Sequence, residues 1–430
     1  MTPRPVTLRC LIATLVLLGA TALHADPPND NGPWKRHTID ATSRGADGAK
    51  LADVNGDGLP DITTGWEEGG LIRVYLNPGP VKAKRPWPAV TVGRVGSPED
   101  AVFVDLDGDG ALDVVSSCEG SVQAVHVHWA PQDAGRYQDE SAWTTAAIPA
   151  TVNRSRWMFA EPMQVDGRRG VDLIVGSKDP RAMVGWLESP EIPRDLAAWK
   201  LHPLYEARWI MSLLPIDMNG NGRLDILLSD RKGADSGILW LENPGADAMP
   251  APSTPQAPAA GLRDTVHAGA AWNEHLIGGH GLEVMFLHVT DLDDDGLDDI
   301  LCAVLPAGVL CLRRLDPRGT NWSSHMIPGP PRDSAGTPKG VHAADLNGDG
   351  RLDILMTCEN AQGERSGVWW IDVAPFAAES QPIYHDIGGP EGVKFDLIQL
   401  DDLDADGDLD LITCEERHQL GVIWYENPAR

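Results

Sequence analysis

The chain has 430 residues, enough for two or three ordinary domains or for one large repeat array. Its 63 acidic against 35 basic residues leave a formal charge of −28, which argues against nucleic acid as a partner. With 15 tryptophans against 5 phenylalanines and 5 tyrosines, the composition points to a repeated structural position that selects Trp.

Residues 1–25 read as an export signal: Arg4 and Arg9 precede an apolar run from Cys10 to Leu23, then "HAD", with Ala25 the expected last residue removed. The run is shorter than the roughly 20 residues a membrane span needs. A soluble periplasmic or extracellular protein over 26–430 with no membrane span is therefore expected, and it is expected to be a monomer. Five cysteines follow the signal: Cys118, Cys302, Cys311, Cys358 and Cys414. Cys302 and Cys311 flank a predicted hairpin and are placed either to bridge or, like the rest, to serve as small apolar residues inside strands.

The next landmark is "DVNGDGLPDI", from Asp53. It recurs as "DLDGDGALDV" from Asp105, "DMNGNGRLDI" from Asp217, "DLDDDGLDDI" from Asp291, "DLNGDGRLDI" from Asp345 and "DLDADGDLDL" from Asp402. A degraded copy, "QVDGRRGVDL", starts at Gln164. Most starts lie 52 to 59 residues apart, which makes seven units of one array. Each unit adds an apolar strand ending in a turn, as in "GLIRVYLNPG" and "SGILWLENPG", and a strand of pattern W-x-x-H-x-I, as in "WKRHTI" from Trp34 and "WNEHLI" from Trp272.

Four short strands per unit, seven times over, predict an all-β, seven-bladed β-propeller of four-stranded antiparallel blades. The first W-x-x-H-x-I strand precedes any acidic loop, and the last unit lacks one. The N-terminal strand should therefore complete blade seven and close the ring, leaving no open edge. Between blades four and five the spacing rises to 74, and 244–271 reads as a flexible Pro- and Ala-rich insertion. The recurring histidine of W-x-x-H-x-I reads as structural, because a residue repeated in several blades does not mark one active site.

Carboxylates at alternate positions repel unless a cation sits between them. Oxygens at positions 1, 3, 5 and 9, a carbonyl at 7 and glycine at 6 for the bend suit calcium, a hard cation that tolerates irregular geometry. An EF-hand needs its closing acid at position 12 and a following helix; here the acid comes at 9 and a strand follows.

The loops and unit length resemble the FG-GAP and VCBS repeats of the integrin alpha propeller, in which such loops bind calcium. The resemblance implies about six structural Ca2+ sites. Their ligands would be Asp53, Asn55, Asp57 and Asp61; Asp105, Asp107, Asp109 and Asp113; and Asp217, Asn219, Asn221 and Asp225. The other three sets would be Asp291, Asp293, Asp295 and Asp299; Asp345, Asn347, Asp349 and Asp353; and Asp402, Asp404, Asp406 and Asp410. The copy at Gln164 has Arg168 at position 5, whose guanidinium is expected to replace the ion.

Propeller ligands sit at the face opposite these loops. Segments leading into the first strands offer Lys50, Glu99, Asp100, Arg156, Trp157, Arg208, Trp209, His280, Glu283, Lys339, His342 and Lys394. Second-to-third-strand loops add Trp66, Glu67, Glu119, Lys178, Arg231, Glu359, Glu415 and His418. Two Arg-Trp pairs facing His and Glu residues would make a polar pocket with flat apolar walls, suited to sugars. The expected function is a secreted, calcium-binding scaffold for carbohydrate or an extracellular protein. The W-x-x-H-x-I strands and Trp-Glu-Asn-Pro turns are also similar to the propeller domain of aldos-2-ulose dehydratase. That resemblance implies the alternative, a sugar or polysaccharide lyase in which His280 or His342 abstracts a proton and Arg156 and Arg208 stabilise the oxyanion, with Glu283 nearby.

Overall fold

Apolar alternation on both sides of each acidic loop folds into two strands joined by that loop. In a computed structural model, which describes residues 32–245, 272–376 and 381–428, the pattern yields seven four-stranded antiparallel sheets. The leader at 1–25 and nearly all of the insertion at 244–271 lie outside those residues. Each sheet is a blade with strands in sequence order, except the last. There Lys35–Asp40 pairs with Gly421–Glu426, so the N-terminal strand completes the seventh blade as the repeat count requires.

The hairpin register is the same in all seven blades. Ala52 faces Asp61 across the first loop, and Val104–Asp113, Met163–Asp172 and Asp401–Asp410 repeat the pairing. Glycine does the bending: Gly58 has φ 85° and Gly110 φ 91° at position 6. In the degraded loop Arg169 takes φ 59° at that place, so the backbone keeps its shape without the glycine.

The outer strands explain the recurring histidine. His37, His202, His275 and His385 lie flat on Trp424, Trp186, Trp240 and Trp370 of the neighbouring strand, with centroids 4.4, 4.7, 4.1 and 4.1 Å apart. Three of them also meet a glutamate of that strand, His37 to Glu426 at 2.6 Å, His202 to Glu188 at 2.9 Å and His275 to Glu242 at 3.1 Å.

The Asn-Pro turns tie blades together: Asn243 donates to Val165 O of blade three at 3.3 Å, and Asn427 to Leu346 O of blade six at 3.2 Å. All five cysteines among the described residues are buried free thiols. Cys302 pairs with Leu310 and Cys311 with Leu301, so the two thiols stand one register step apart on opposite faces of the sheet and do not bridge.

Candidate functional site: a central funnel and six acidic hairpins

The hairpin loops fold by capping their own backbone. Asp53 accepts from Gly56, Asp57 and Gly58 N–H groups, and Asn55 and Asp57 each accept from the residue two positions on. The position-9 aspartate is fully buried: Asp61 accepts from Val54 N–H at 3.0 Å and from Asn77 N–H at 2.8 Å, tying the loop to the end of the third strand. Each of its oxygens keeps a second lone pair, so this role is compatible with ligating an ion.

Carboxylate oxygens of Asp105, Asp107 and Asp109, of Asp291, Asp293 and Asp295, and of Asp402, Asp404 and Asp410 all converge within 4.8 Å of one another. All-oxygen donor sets at this separation fit calcium. Cations from neighbouring segments approach the same groups: Arg194 meets Asp107, Arg313 stands 2.5 Å from Asp293, and Lys84 2.8 Å from Asp404.

Blade three differs from expectation in its detail. Arg168 is exposed. The Gln164 carboxamide instead donates to Arg168 O at 3.2 Å and Gly170 O at 2.6 Å, the carbonyls of positions 5 and 7. A neutral donor thus satisfies the carbonyls of positions 5 and 7 in this loop.

At the opposite ends of the inner strands lies a cavity of about 690 Å³. One register position builds its wall. The sixth residue before each hairpin is Asp47, Glu99, Met158, Met211, Met285, Lys339 and Asp396 in blades one to seven, and all seven line the cavity. The next residue also faces it in five blades, as Gly48, Asp100, Phe159, Phe286 and Leu397. Two successive side chains can share one face because the inner strands are bulged here, between Asp47 and Lys50, Pro98 and Asp100, Trp157 and Phe159, and Val284 and Leu287. Blades three to five thus contribute a methionine and phenylalanine arc, and blades six, seven, one and two a charged arc.

The charged arc is dense. Lys339 stands 2.5 Å from Asp396, Lys394 pairs with Glu416, and Lys178 bridges Glu99 at 3.3 Å and Glu119 at 2.6 Å. Burial, with Asp396 beside it, pushes the Asp47 carboxyl well above the usual range. Burial would raise Asp396 too, but Lys339, the Asp47 hydrogen bond and Lys394 outweigh it and hold that group low. Burial lifts Glu99 to about 8, Glu119 and Glu67 adding to it, and lifts Asp100 to about 7 against the pull of Lys50. Trp209 closes the wall between Lys178 and Arg231, with its ring centroid 5.0 and 4.9 Å from them.

Of the residues anticipated for ligand contact, Lys339, Lys394 and Trp209 line this cavity, as do Glu67, Glu99, Asp100, Glu119, Lys178, Arg231, Glu359 and His418. The others go elsewhere. Trp157 is fully buried in the core between blades two and three, with its indole N–H on Thr151 O at 3.0 Å, and is corrected to a structural residue. Arg156, Arg208 and His280 are exposed and do not line the cavity, so they do not converge on one centre. Glu283 is held by Arg231 and Lys232. Glu415 is fully buried and accepts backbone N–H groups from Val393, His418 and Leu420, which organises the loop.

Lys50 and His342 lie deeper. Lys50 of blade one donates to Glu161 of blade three at 2.8 Å, a contact across blade two that places both on the central channel. His342 packs against His288 with the rings tilted by 33° and their centroids 3.8 Å apart.

The FG-GAP-like repeat family matches residues 53–116 and 291–356, two stretches that each begin on an acidic hairpin's first aspartate. The chain carries FG-GAP-like repeats. No curated protein sequence matches it. Among solved structures, this propeller is similar to the BBS1N chain of a complex with ARL6DN, with TM-score 0.51, 8% identity, and 93% of this chain and 98% of that one covered. At that identity the likeness shows the fold alone. A second is an Agrocybe aegerita lectin described as recognising non-reducing terminal N-acetylglucosamine, with TM-score 0.41, 15% identity, and 81% and 80% covered.

Residues that sequence reasoning passed over include Asp47, Met158, Met211, Met285, Asp396 and Glu416 of the funnel. Aligning the repeats on their loops and reading the sixth position back would have found five of the six.

Proposed function

We propose that this protein is an exported, calcium-stabilised FG-GAP propeller whose central funnel binds a carbohydrate, either free or displayed on an extracellular partner. The observation that carries the reading is the division of one ring position into three methionines and four charged residues around a single cavity. Sugars present CH faces and hydroxyl groups on the same small body, and a half-apolar, half-charged wall matches both. Two polar groups lining the cavity make no hydrogen bond within the protein: the Asp100 carboxylate, whose nearest cation Lys50 stands 4.0 Å away, and the Trp209 indole N–H. A hydroxyl accepts from one and donates to the other. Calcium in the six hairpins would brace the far ends of the same strands.

The test is retention on immobilised mono- and oligosaccharides, with titration calorimetry on whatever is retained. Asp100→Asn, which keeps side-chain volume, and Trp209→Phe, which removes the N–H with part of the ring, should each weaken the retained sugar about tenfold or more. No retention of any sugar, or conversion of the sugar to an unsaturated product, would overturn the scaffold reading; the second result would favour a lyase.

A further inference from the structure

The intact hairpins fall into two classes at their third position. Hairpins one, four and six carry asparagine there, as Asn55, Asn219 and Asn347, and hairpins two, five and seven carry aspartate, as Asp107, Asp293 and Asp404. A basic side chain meets each of the three aspartates, always on Oδ2: Arg194 on Asp107, Arg313 on Asp293 at 2.5 Å and Lys84 on Asp404 at 2.8 Å. Arg194 and Arg313 also reach the fifth-position Asp109 and Asp295, at 3.4 and 3.3 Å. In hairpin four the outer atom is the amide nitrogen of Asn219, which donates to Glu242 at 3.0 Å.

The inner oxygen is the same in both classes. Asp107 Oδ1 accepts from Asp109 N–H at 3.1 Å, as Asn55 Oδ1 and Asn347 Oδ1 accept from Asp57 and Asp349 N–H at 2.9 Å. In Asp404, whose side chain is only 7% exposed, Oδ1 is buried and accepts no hydrogen bond within the protein, while Oδ2 holds Lys84. Hairpin one presents three carboxylates at its ligand positions and hairpins two, five and seven present four, so one added cation brings each of the latter to the net charge of the first. Arg351 of hairpin six pairs with the fifth-position Asp349 of its own loop and lies outside this pattern.

We propose that Arg194, Arg313 and Lys84 are positioning residues of the calcium sites, each neutralising the outer oxygen of a third-position aspartate so that it acts toward the ion as asparagine does. They thereby hold the calcium affinity of hairpins two, five and seven down to that of hairpin one. The inference rests on the reading that the hairpins hold calcium, and it is independent of the funnel ligand. A unit positive charge a few ångströms from a divalent ion opposes its binding by about tenfold even at water-like screening. Two of these cations also cross a blade boundary: Arg194 follows the strand Met183–Glu188 of blade three, and Lys84 follows Leu71–Tyr75 of blade one. Their aspartates belong to blades two and seven, so the pairs tie neighbouring blades whether or not calcium is bound.

Terbium(III), which takes calcium's oxygen ligands and is sensitised by a nearby indole, reads hairpin two in the full-length protein after chelator treatment. The Arg194 guanidinium lies 4.6 Å from the Trp129 ring centroid, and the luminescence lost in Trp129→Phe is that hairpin's signal. Displacing it with calcium gives the affinity. Arg194→Gln, at a side chain 46% exposed, is expected to bind calcium about tenfold more tightly there. Asp107→Asn, which leaves the cation without its aspartate, should bind about tenfold more weakly, and the double variant as the native protein does. Arg194→Lys keeps the charge and should keep the native affinity. Weaker or unchanged calcium binding in Arg194→Gln would overturn the proposal and leave calcium in the hairpins standing. No terbium signal at hairpin two in any of these proteins would overturn both.

Discussion

The Gln164 carboxamide donates to the Gly170 carbonyl at 2.6 Å, closing the loop of blade three across its seventh position. The loop keeps its backbone without glycine at position 6. Replacing the donor by acids should therefore convert it to an ion site: the double variant Gln164→Asp, Arg168→Asp is expected to bind one more calcium per chain than the native protein. Elemental analysis after gel filtration in calcium buffer gives the count.

Calcium removal should lower stability through the intact loops. Exhaustive EGTA dialysis is expected to reduce the melting temperature by several degrees, since any ligand binding only the folded state stabilises it by mass action. Asp345→Ala should reproduce part of that loss in calcium buffer and little of it in EGTA. Scanning calorimetry of both proteins in both buffers provides the check.

Without calcium, the pH dependence has a fixed sign. Burial pushes Asp113, Asp353 and Asp410 up to about 7, against roughly 4 for an unfolded aspartate. Between those values the folded state holds protons that the unfolded chain has lost, so these groups stabilise more at low pH. Their contribution falls as pH rises from about 4 to 7 and is flat above. The melting temperature in EGTA should accordingly be higher at pH 5.5 than at pH 7.5. With saturating calcium, which needs ionised carboxylates, the order should reverse.

The outer-strand histidines should matter to stability and not to binding. His275→Ala removes a ring lying 4.1 Å from Trp240 and is expected to cost about 1 kcal/mol in urea unfolding, with sugar retention unchanged.

Ring closure offers a sharper mechanical test. Ile39 is fully buried in the N-terminal strand against the last blade, and Ile39→Ala should cost about 2–5 kcal/mol. Urea denaturation that shifted by less than 1 kcal/mol would mean that the closing strand adds little.

Much of the architecture was legible because it is written as repetition. Seven loop copies fix the blade number, and the unpaired W-x-x-H-x-I strand at Trp34 forecasts the shared seventh blade. The funnel was harder to read for a local reason. Period-two alternation assigns one side chain in two to a face, but the bulge between Asp47 and Lys50 and its counterparts turn consecutive residues the same way. Choosing tryptophans by their nearness to a strand start selected Trp157, which the core had claimed, and passed over Met158 beside it. Glu415 was misplaced similarly: a charged residue in a predicted loop looks available to ligands until its backbone partners are known.

The ion pair of Lys35 with Glu426 joins residues 391 positions apart. The N-terminal strand can therefore take its place only after 421–426 has been made, and until then the seventh blade lacks its outer strand and leaves a gap beside six sheets built from contiguous stretches. Contacts that distant are slow to form, and the exposed sheet margins at that gap are where intermolecular pairing would begin. Closure of this toroid is thus the step at which it is most exposed to misassembly.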